Sequence, residues 1–534
     1  MDKMFVNGVI QTLTGAGPAP EAVGVGGGCI EAVGSEAEIR GLASGSCKVI
    51  DLKGAVLFPG FIDCHNHLMI FGYFLDGLDI SPAQVGRIDD ILSLVKAQAD
   101  QVRAGDWIKG SRFIDYQLAE NRYPTRHDLD AVSPNNPVIL YHTSFHACVL
   151  NSLALDELNI TAETEPPAGG LIEKDPQSGQ PSGILHDAAM MDVFNQLFSR
   201  DMAAMPVAQR VEICSRATAE FAAKGLVGAA DALVTPLSLR IYQETLAAGR
   251  LKIRIYTMNE IAAAEGLLAS GLFTGFGGDW LKLGPIKIFE DGGMSNRTAA
   301  VSTLYLTQPE SRGLKVVSRE ELIAAIGRAH GLGFQVAVHS QGDAGLADTL
   351  DAFASVLGPR SDNPLRHRIE HAGCLYPPLL ARAAGMKIGI SIQPAFFSSL
   401  GDGWIEAFGL EGAQRLYPFK SMLKAGLPLG LSSDCPVVSP DPRIGLRDAV
   451  LRKTGAGVVL GPEEALSMNE ALRLYTLGAA YLSFDENAAG TIEAGKRADF
   501  TVLAADPRSI PPEEVADIPF RMTVVGGEVM FSEE

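Results

Sequence analysis

Short apolar runs alternate with longer stretches of helical periodicity along most of the chain. Residues 318–333 show the helical pattern, because Ser318 and Glu321 form a capping box and glycines at 331 and 333 end the stretch. Strands that alternate with helices form parallel sheets, and eight such strands predict an α/β fold of the closed (β/α)₈ TIM-barrel type. The eight runs are 56–67, 225–231, 252–258, 284–291, 334–339, 367–371, 387–393 and 427–434.

Both ends of the chain show a different pattern, in which glycines separate short β-type segments. Segments 5–10 and 47–52 lie near the start, and segments 498–503 and 522–529 lie near the end. Neither end has enough strands for a stable sheet of its own. We therefore expect residues 1–58 and 486–534 to form one small β-sandwich domain, with the barrel over residues 59–485.

The interval between the first two predicted barrel strands is far longer than a crossover helix requires. It spans about 150 residues and contains many proline and glycine turns. We expect an inserted subdomain over about residues 72–205 that covers the barrel mouth and shapes a substrate pocket.

Composition limits the classes of partner. With 534 residues, 47% of them hydrophobic, the chain can bury a substantial core. A net charge of −19, from 63 acidic and 44 basic residues, disfavours nucleic acid and anionic membranes as partners. Residues 1–20 lack a signal-peptide pattern, no apolar run reaches the ~18 residues of a membrane span, and the seven cysteines lack C-x-x-C spacing. We expect a cytoplasmic protein that acts on a small molecule.

Two histidines close the first predicted barrel strand. Side chains alternate along a strand, so Asp63, His65 and His67 should share one face. Two imidazoles on one face suit a shared metal ion. A His-x-His pattern by itself fits a surface accident or a hydrogen-bonded core pair better, so the metal interpretation needs support from elsewhere in the chain.

Three further residues stand at later strand ends. His339 ends the fifth predicted strand, His371 ends the sixth and Asp434 ends the eighth. Each alone also fits a core histidine, a helix cap or a loop carboxylate. Barrel enzymes build their sites at the C-terminal ends of the strands, so the three positions together predict a site at the barrel mouth.

Lys287 lies inside the fourth predicted strand, between Ile286 and Ile288. Burial of an ammonium group is costly, so the lysine pKa should fall from its usual ~10.4. A neutral amine can take up CO₂, and the carboxylate of the resulting N6-carboxylysine could bridge two metal ions. The alternative is an ion pair between Lys287 and Glu290 or Asp291.

The candidate ligands lie within recognisable stretches of sequence. In chain order they are the His-x-His pair, the strand-four lysine, the strand-five and strand-six histidines and the strand-eight aspartate. The stretches are VLFPGFIDCHNHL at 56–68, IKIFEDGGMSNRTA at 286–299, VAVHSQGD at 336–343, HRIEHAG at 367–373, SIQPAF at 391–396, LGLSSDCPV at 429–437 and GTIEAGKRADFTVL at 490–503. Nearly end to end, the chain resembles the amidohydrolase superfamily and, more narrowly, its YtcJ-like amidohydrolase 3 family.

The resemblance implies one or two divalent metal ions, with Zn²⁺ as the default, although such ligands also suit Mn²⁺, Fe²⁺ and Co²⁺. A metal brings the pKa of bound water from ~15.7 to near ~7 and polarises a carbonyl. We expect the resulting hydroxide to attack while Asp434 accepts a proton and delivers it to the leaving nitrogen. His371 or His339 is expected to stabilise the oxyanion. The implied ligands are His65, His67, Lys287, His339, His371 and Asp434.

Two segments depart from the pattern of the family. The family often has D-G-S-L-G after the strand-four lysine, whereas residues 291–295 of this chain are DGGMS. The family also often has Glu where Asp187 stands. Neither change affects an expected ligand, and both are expected to alter substrate choice.

Four residues are candidates for substrate contact. His146 lies in a segment that resembles the family's insertion, with a purely structural role as the alternative. Arg297 is expected to hold either a substrate carboxylate or a neighbouring acidic side chain. Phe396 and Trp404 follow the seventh strand and form either an apolar pocket wall or ordinary packing.

The resulting hypothesis is an amidohydrolase that cleaves a non-peptide C–N bond in an amide, N-acyl or N-formyl small molecule. Hydrolytic deamination and ester or lactone cleavage are alternatives, because the same metal chemistry serves them. A non-catalytic scaffold is a third alternative, since fold does not guarantee function. The complete ligand set disfavours the scaffold. The resemblance also implies a homodimer.

Overall fold

The computed structural model describes residues 1–15, 19–43, 45–308, 310–358 and 362–533. The chain begins with short strands that belong to two sheets. Strands β4-β3-β1-β5 form a four-stranded sheet, while β2 and β6 pair with each other in a second sheet. The bounds are β1 (Lys3–Val6), β2 (Val9–Ile10), β3 (Ala22–Gly26), β4 (Cys29–Gly34), α1 (Glu36–Leu42), β5 (Lys48–Asp51) and β6 (Val56–Pro59).

The first barrel strand, β7 (Phe61–Asn66), and helix α2 (Leu68–Phe74) follow directly. The single strand predicted over residues 56–67 is therefore wrong, because β6 and β7 belong to different sheets. Gly60 separates them, and a Cβ atom there would lie 2.3 Å from the side chain of Val227. The chain can pass the next barrel strand this closely only because residue 60 has no side chain.

A six-stranded sheet lies between the first and second barrel strands in the sequence. Its strand order is β12-β13-β11-β10-β9-β8, and it has its own cluster of buried apolar side chains, among them Ile91, Val138 and Ile184. The elements are β8 (Leu78–Asp79), α3 (Ile88–Ala99), β9 (Ile108–Phe113), α4 (Arg126–Asp130), β10 (Val138–His142), β11 (Ala147–Leu150), α5 (Ser152–Glu157), β12 (Gly170–Lys174), β13 (Pro181–Asp187) and α6 (Ala188–Ala204).

The central part of the chain alternates helices and parallel strands. The elements are α7 (Val207–Ala223), β14 (Leu226–Val234), α8 (Pro236–Ala247), β15 (Arg254–Glu260), α9 (Ile261–Ala269), β16 (Leu281–Phe289), α10 (Arg319–Gly331), β17 (Val336–Ser340), α11 (Asp343–Leu357), β18 (Arg368–His371), α12 (Pro377–Gly385), β19 (Gly389–Ile392), α13 (Phe396–Ala413), α14 (Phe419–Lys424), β20 (Leu429–Leu431) and α15 (Pro442–Leu451).

These seven strands and β7 form one parallel sheet in the order β7-β14-β15-β16-β17-β18-β19-β20. Its two ends meet, because Asp434 N donates to His65 O at 2.8 Å and His67 N donates to Cys435 O at 2.7 Å. The predicted (β/α)₈ barrel is confirmed. The capping box predicted at Ser318 and Glu321 also forms, at the start of α10.

The last part of the chain returns to the sheet of β2 and β6. Its elements are α16 (Met468–Arg473), α17 (Ala479–Leu482), β21 (Phe500–Leu503), β22 (Phe520–Val525) and β23 (Glu528–Ser532), and the sheet order is β2-β6-β21-β22-β23. Apolar side chains from both ends of the chain, such as Phe5, Leu57 and Phe500, pack in one buried cluster. Among the described residues, no helix is both long and apolar enough to cross a membrane.

Candidate metal centre

The barrel collects six predicted ligands at one rim. His65, His371 and Asp434 each present one ligand atom, and these three atoms lie within 4.8 Å of one another. All parallel strands end at this rim, so residues distant in sequence meet there. The six are His65 in β7, His67 just after it, Lys287 in β16, His339 in β17, His371 at the end of β18 and Asp434 after β20.

His67 and His339 lie beside this group of three but outside it. His67 Nε2 lies 3.1 Å from Asp434 Oδ1, and the centroids of the His339 and His371 rings lie 4.5 Å apart. His339 Nε2 lies 3.2 Å from the carbonyl oxygen of Gly292. The five side chains therefore surround one small volume.

The polar atoms that face this volume fit a metal ion. Within the described chain, His65 Nε2, Asp434 Oδ1 and Lys287 Nζ are buried and have no hydrogen-bond partner. Buried polar atoms without partners are rare in folded proteins because each costs free energy. Imidazole nitrogens and a carboxylate oxygen are also the donor set that Zn²⁺ and related divalent ions bind.

An internal ion pair orients His65. The carboxylate of Glu370 accepts a hydrogen bond from His65 Nδ1 at 2.5 Å and two from Arg368, at 2.6 and 2.8 Å. All three side chains are fully buried. Because Nδ1 donates to Glu370, Nε2 carries the lone pair and faces the predicted metal position.

Two of the other three histidines at the rim are oriented in the same way. His67 Nδ1 donates to the carbonyl oxygen of Ala232 at 3.0 Å, and His371 Nδ1 donates to Gln393 Oε1 at 2.9 Å. Gln393 Nε2 in turn donates to Ser432 Oγ at 2.9 Å, which fixes the amide. Each partner leaves Nε2 of its histidine available as a ligand.

Lys287 is 1% exposed, and burial lowers its pKa to about 8. Its Nζ has no hydrogen-bond partner among the described residues, so the predicted alternative of a pair with Glu290 or Asp291 is not observed. Asp291 instead accepts backbone N–H groups from Ala300, Gln341 and Gly342, at 2.8 to 2.9 Å. The amine is therefore free to react or to bind.

The electrostatics of His339, His371 and Asp434 favour the forms that bind metal. Burial lowers the pKa of His371 to about 3 and that of His339 well below its usual value. Burial alone would raise the pKa of Asp434, but the adjacent His65 and His67 hold it well below its usual value. Neutral imidazoles and an ionised carboxylate are the ligand states that a divalent ion requires.

Asp63, which shares the strand face of His65, supports the rim and lies outside the ligand group. It is 1% exposed, and its carboxylate accepts hydrogen bonds from Ser433 Oγ and from Ser433 N at 3.1 Å. Burial raises the pKa of Asp63 to about 6. The Asp63 carboxylate therefore joins the first barrel strand to Ser433, the residue before Asp434.

The predicted substrate contacts lie in different surroundings. His146 is half-buried, bonds to Asp187 and has its ring 5.5 Å from the His339 ring. Arg297 Nη2 lies 3.3 Å from Glu406 Oε2, which agrees with the acidic-neighbour alternative.

The two aromatic candidates also lie in different surroundings. The ring of Phe396 lies 6.1 Å from that of His371, beside the metal centre. Trp404 is 1% exposed and packs against Phe397 and Tyr417, so its side chain stands in the core, as the packing alternative requires.

Sequence reasoning gave no role to Arg368, Glu370 or Gln393. Arg368 and Glu370 share one strand face, and opposite charges two residues apart on a buried strand are a signal of an internal pair. Gln393 ends the seventh predicted strand, where a polar residue has the same positional meaning as His339.

Comparison with known proteins agrees with this geometry. The amidohydrolase family Amidohydro_3 matches residues 48–531. N-substituted formamide deformylase of Arthrobacter pascens is 32% identical, covering 99% of this chain and 98% of its own. The amidohydrolase-family protein YtcJ of Bacillus subtilis strain 168 is 31% identical, covering 99% of both chains. An uncharacterised metal-dependent hydrolase of Pyrococcus horikoshii OT3 has a crystal structure that matches with a TM-score of 0.78 at 28% identity, over 96% of this chain and 99% of that one.

The chain belongs to the amidohydrolase family. The predicted family is confirmed, and with it the predicted enzyme class, an amidohydrolase.

Proposed function

We propose that the protein hydrolyses a C–N bond in a small amide, N-acyl or N-formyl compound with the help of a divalent metal ion. The convergence of ligand atoms from His65, His371 and Asp434 carries this proposal, and among the described residues His65 Nε2 and Asp434 Oδ1 have no hydrogen-bond partner. The relative from Arthrobacter pascens is named for the removal of formyl groups from N-substituted formamides, which supports the N-formyl class.

The residues that would hold one or two ions, by default Zn²⁺, are His65, His67, Lys287, His339, His371 and Asp434. When bound, such an ion makes water acidic and polarises a carbonyl group. The lowered pKa of Lys287 and the absence of a described partner for its Nζ support N6-carboxylysine at this position.

The chain's own residues supply orientation and proton transfer. The Asp434 carboxylate accepts the proton of the attacking water and delivers it to the leaving nitrogen. Glu370 and Gln393 hold the imidazoles of His65 and His371 in fixed orientations, so the site needs little reorganisation during the reaction. His371 or His339 stabilises the charge that develops on the substrate carbonyl.

The arrangement of the chain fits this reaction. We propose that the two terminal sheets form one β-sandwich domain and that residues 72–205 form a subdomain over the barrel mouth. The shared apolar cluster of the terminal sheets and the separate cluster of the inserted sheet support this division. We further propose a small-molecule substrate, no nucleic-acid or membrane partner, a cytoplasmic location and a homodimeric assembly.

A matched panel of substrates tests the proposed reaction. Zinc-loaded enzyme should release butylamine from N-butylformamide, and Asp434→Asn should lower kcat at least about 100-fold because the proton carrier is lost. Asp402→Asn is the control, since Asp402 is not part of the site. Release of butanol from butyl formate without turnover of any amide would favour the esterase alternative and contradict the proposal. Release of ammonia alone from an amine panel would favour a deaminase.

A further inference from the structure

Asp187 and Gly293 flank one imidazole at the barrel mouth. His146 Nδ1 lies 2.8 Å from Asp187 Oδ1. On the other side, a Cβ atom on Gly293 would lie 3.1 Å from His146 Cδ2 and 3.5 Å from its Nε2. Because residue 293 has no side chain, this side of the imidazole stays open.

The hydrogen bonds around His146 assign the roles of its two ring nitrogens. Asp187 Oδ1 accepts from His146 Nδ1 and also from Thr298 Oγ1, at 3.1 Å. A carboxylate only accepts hydrogen bonds, so Nδ1 is the donor, and this tautomer has the lone pair on Nε2. In the part of the chain that the structure describes, Nε2 has no hydrogen-bond partner, and 16% of the side chain is exposed.

This open acceptor lies next to the metal centre. The His146 and His339 rings have centroids 5.5 Å apart, and the ring of Phe289 lies 5.2 Å from that of His339. A group bound at the rim would therefore have the His146 ring beside it.

A cavity of about 140 Å³ begins at the same place. Five of its lining side chains are apolar, and three, from Asp187, Asp192 and Asp291, are carboxyl groups. Neither Lys nor Arg belongs to this lining. The cavity therefore suits a neutral apolar group and disfavours an anionic one. The apolar lining residues are Phe145, Ala188, Met191, Phe289 and Val316.

We propose that His146 Nε2 accepts the N–H of a secondary amide substrate and that the adjacent cavity holds the apolar substituent of the same nitrogen. This inference rests on the proposed C–N hydrolysis. His146 is thus a residue that selects secondary amides over tertiary amides and esters, because neither of the latter has a hydrogen to donate at this position. The bond to Asp187 positions the imidazole for this contact.

Three substrates with one substituent test the selection: N-butylformamide, N-butyl-N-methylformamide and butyl formate. Zinc-loaded wild type should prefer the secondary amide in kcat/KM. His146→Leu should lower kcat/KM for the secondary amide about 10- to 100-fold and change the values for the other two less than about 3-fold. His146→Gln, which keeps an acceptor oxygen, should recover most of the loss.

Two further variants complete the test. His186→Leu is the matched control, because the His186 side chain is as exposed as that of His146 and lies in β13, opposite Ala147. It should leave all three kcat/KM values unchanged. Gly293→Ser should lower kcat/KM for the secondary amide by placing side-chain atoms beside Nε2. Zinc content, measured for each variant, should equal that of wild type.

The outcomes separate this inference from the proposed function. Equal losses on all three substrates in His146→Leu, or no loss on any, would overturn the role of His146 and leave C–N hydrolysis intact. Turnover of butyl formate alone by wild type would overturn the proposed function itself.

Discussion

Glu370 shows how much of the metal centre depends on residues that are not ligands. Its carboxylate lies between His65 and Arg368, and all three side chains are fully buried. Burial alone would raise the pKa of Glu370, but Arg368 and His65 hold it well below its usual value. The carboxylate is therefore ionised and keeps His65 in the tautomer that presents Nε2 to a metal.

Glu370→Gln should weaken zinc binding about 10- to 100-fold, because the amide neither fixes the His65 tautomer nor balances the charge of Arg368. Competition with a chelator of known affinity measures the change. Glu265→Gln, at an exposed ion pair far from the rim, should bind zinc like wild type. Unchanged affinity in Glu370→Gln would contradict the orienting role.

His367 should make stability depend on pH. Its Nδ1 accepts from Val336 N at 3.0 Å, and its Nε2 donates to His330 Nδ1 at 2.8 Å. Burial lowers its pKa to about 3, whereas an unfolded histidine has a pKa near ~6.5. Below ~6.5 the unfolded chain takes up a proton that the folded chain does not, so stability falls as the pH falls toward 3.

Between pH 7 and pH 5, the unfolding free energy of wild type should therefore fall by about 2 kcal/mol more than that of His367→Gln. Urea unfolding midpoints at constant zinc concentration measure this difference. His127→Gln, at an exposed histidine, should follow the wild-type curve. Parallel curves for wild type and His367→Gln would contradict a buried neutral His367.

Five of the six predicted ligands could be placed together from sequence because they lie at or beside strand ends, and strand ends meet at one rim. Lys287 lies inside its strand. Glu370 and Gln393 carry a signal in the sequence, but it does not show that His65 and His371 are their partners, because those contacts join different strands. The place of Trp404 could not be predicted either. An aromatic residue after a strand fits a pocket wall and a core equally well, and only the contacts of its side chain in the structure show that it lies in the core.

At the level of elements, the rim depends on the junction between β7 and the segment after β20. Ser433 Oγ donates to the buried Asp63 carboxylate and accepts the N–H of Cys435 at 2.9 Å. The residue between Ser433 and Cys435 is Asp434, so these bonds fix the backbone on both sides of a predicted ligand. The closure of the barrel and the geometry of the site thus share one set of contacts.

Ser433→Ala should lower the unfolding free energy by about 1–3 kcal/mol, because Asp63 and the Cys435 N–H each lose a buried partner. It should also weaken zinc binding, since Asp434 is held less firmly. Chemical unfolding and chelator competition measure the two effects. Ser93→Ala, on the exposed side of α3, is the control. A variant as stable as wild type would show that the junction does not depend on this hydroxyl.

The barrel strands could be predicted because buried parallel strands are short apolar runs with helical patterns between them. The boundary at residues 59–60 could not, since β6 and β7 form one apolar run and separate only in three dimensions. The passage of Gly60 against Val227 determines where the chain changes sheets. Such a close approach between distant residues leaves no local pattern.

At the scale of the whole molecule, the site combines contributions from separate sheets. The barrel supplies the predicted ligands, while the sheet inserted between β7 and β14 supplies His146 and Asp187. The proposed chemistry depends on a divalent ion bound among these ligands.

Metal content per chain, measured by elemental mass spectrometry on protein purified without added metal, shows whether the barrel rim binds metal ions. Wild type should contain one or two divalent ions, and His65→Ala/His67→Ala should lose them. A fall from two ions to one or fewer in Lys287→Met would assign Lys287 a bridging role, with Lys282→Met in the same strand as the control. Wild type without metal even after zinc supplementation, or metal unaffected by loss of both histidines, would contradict the account.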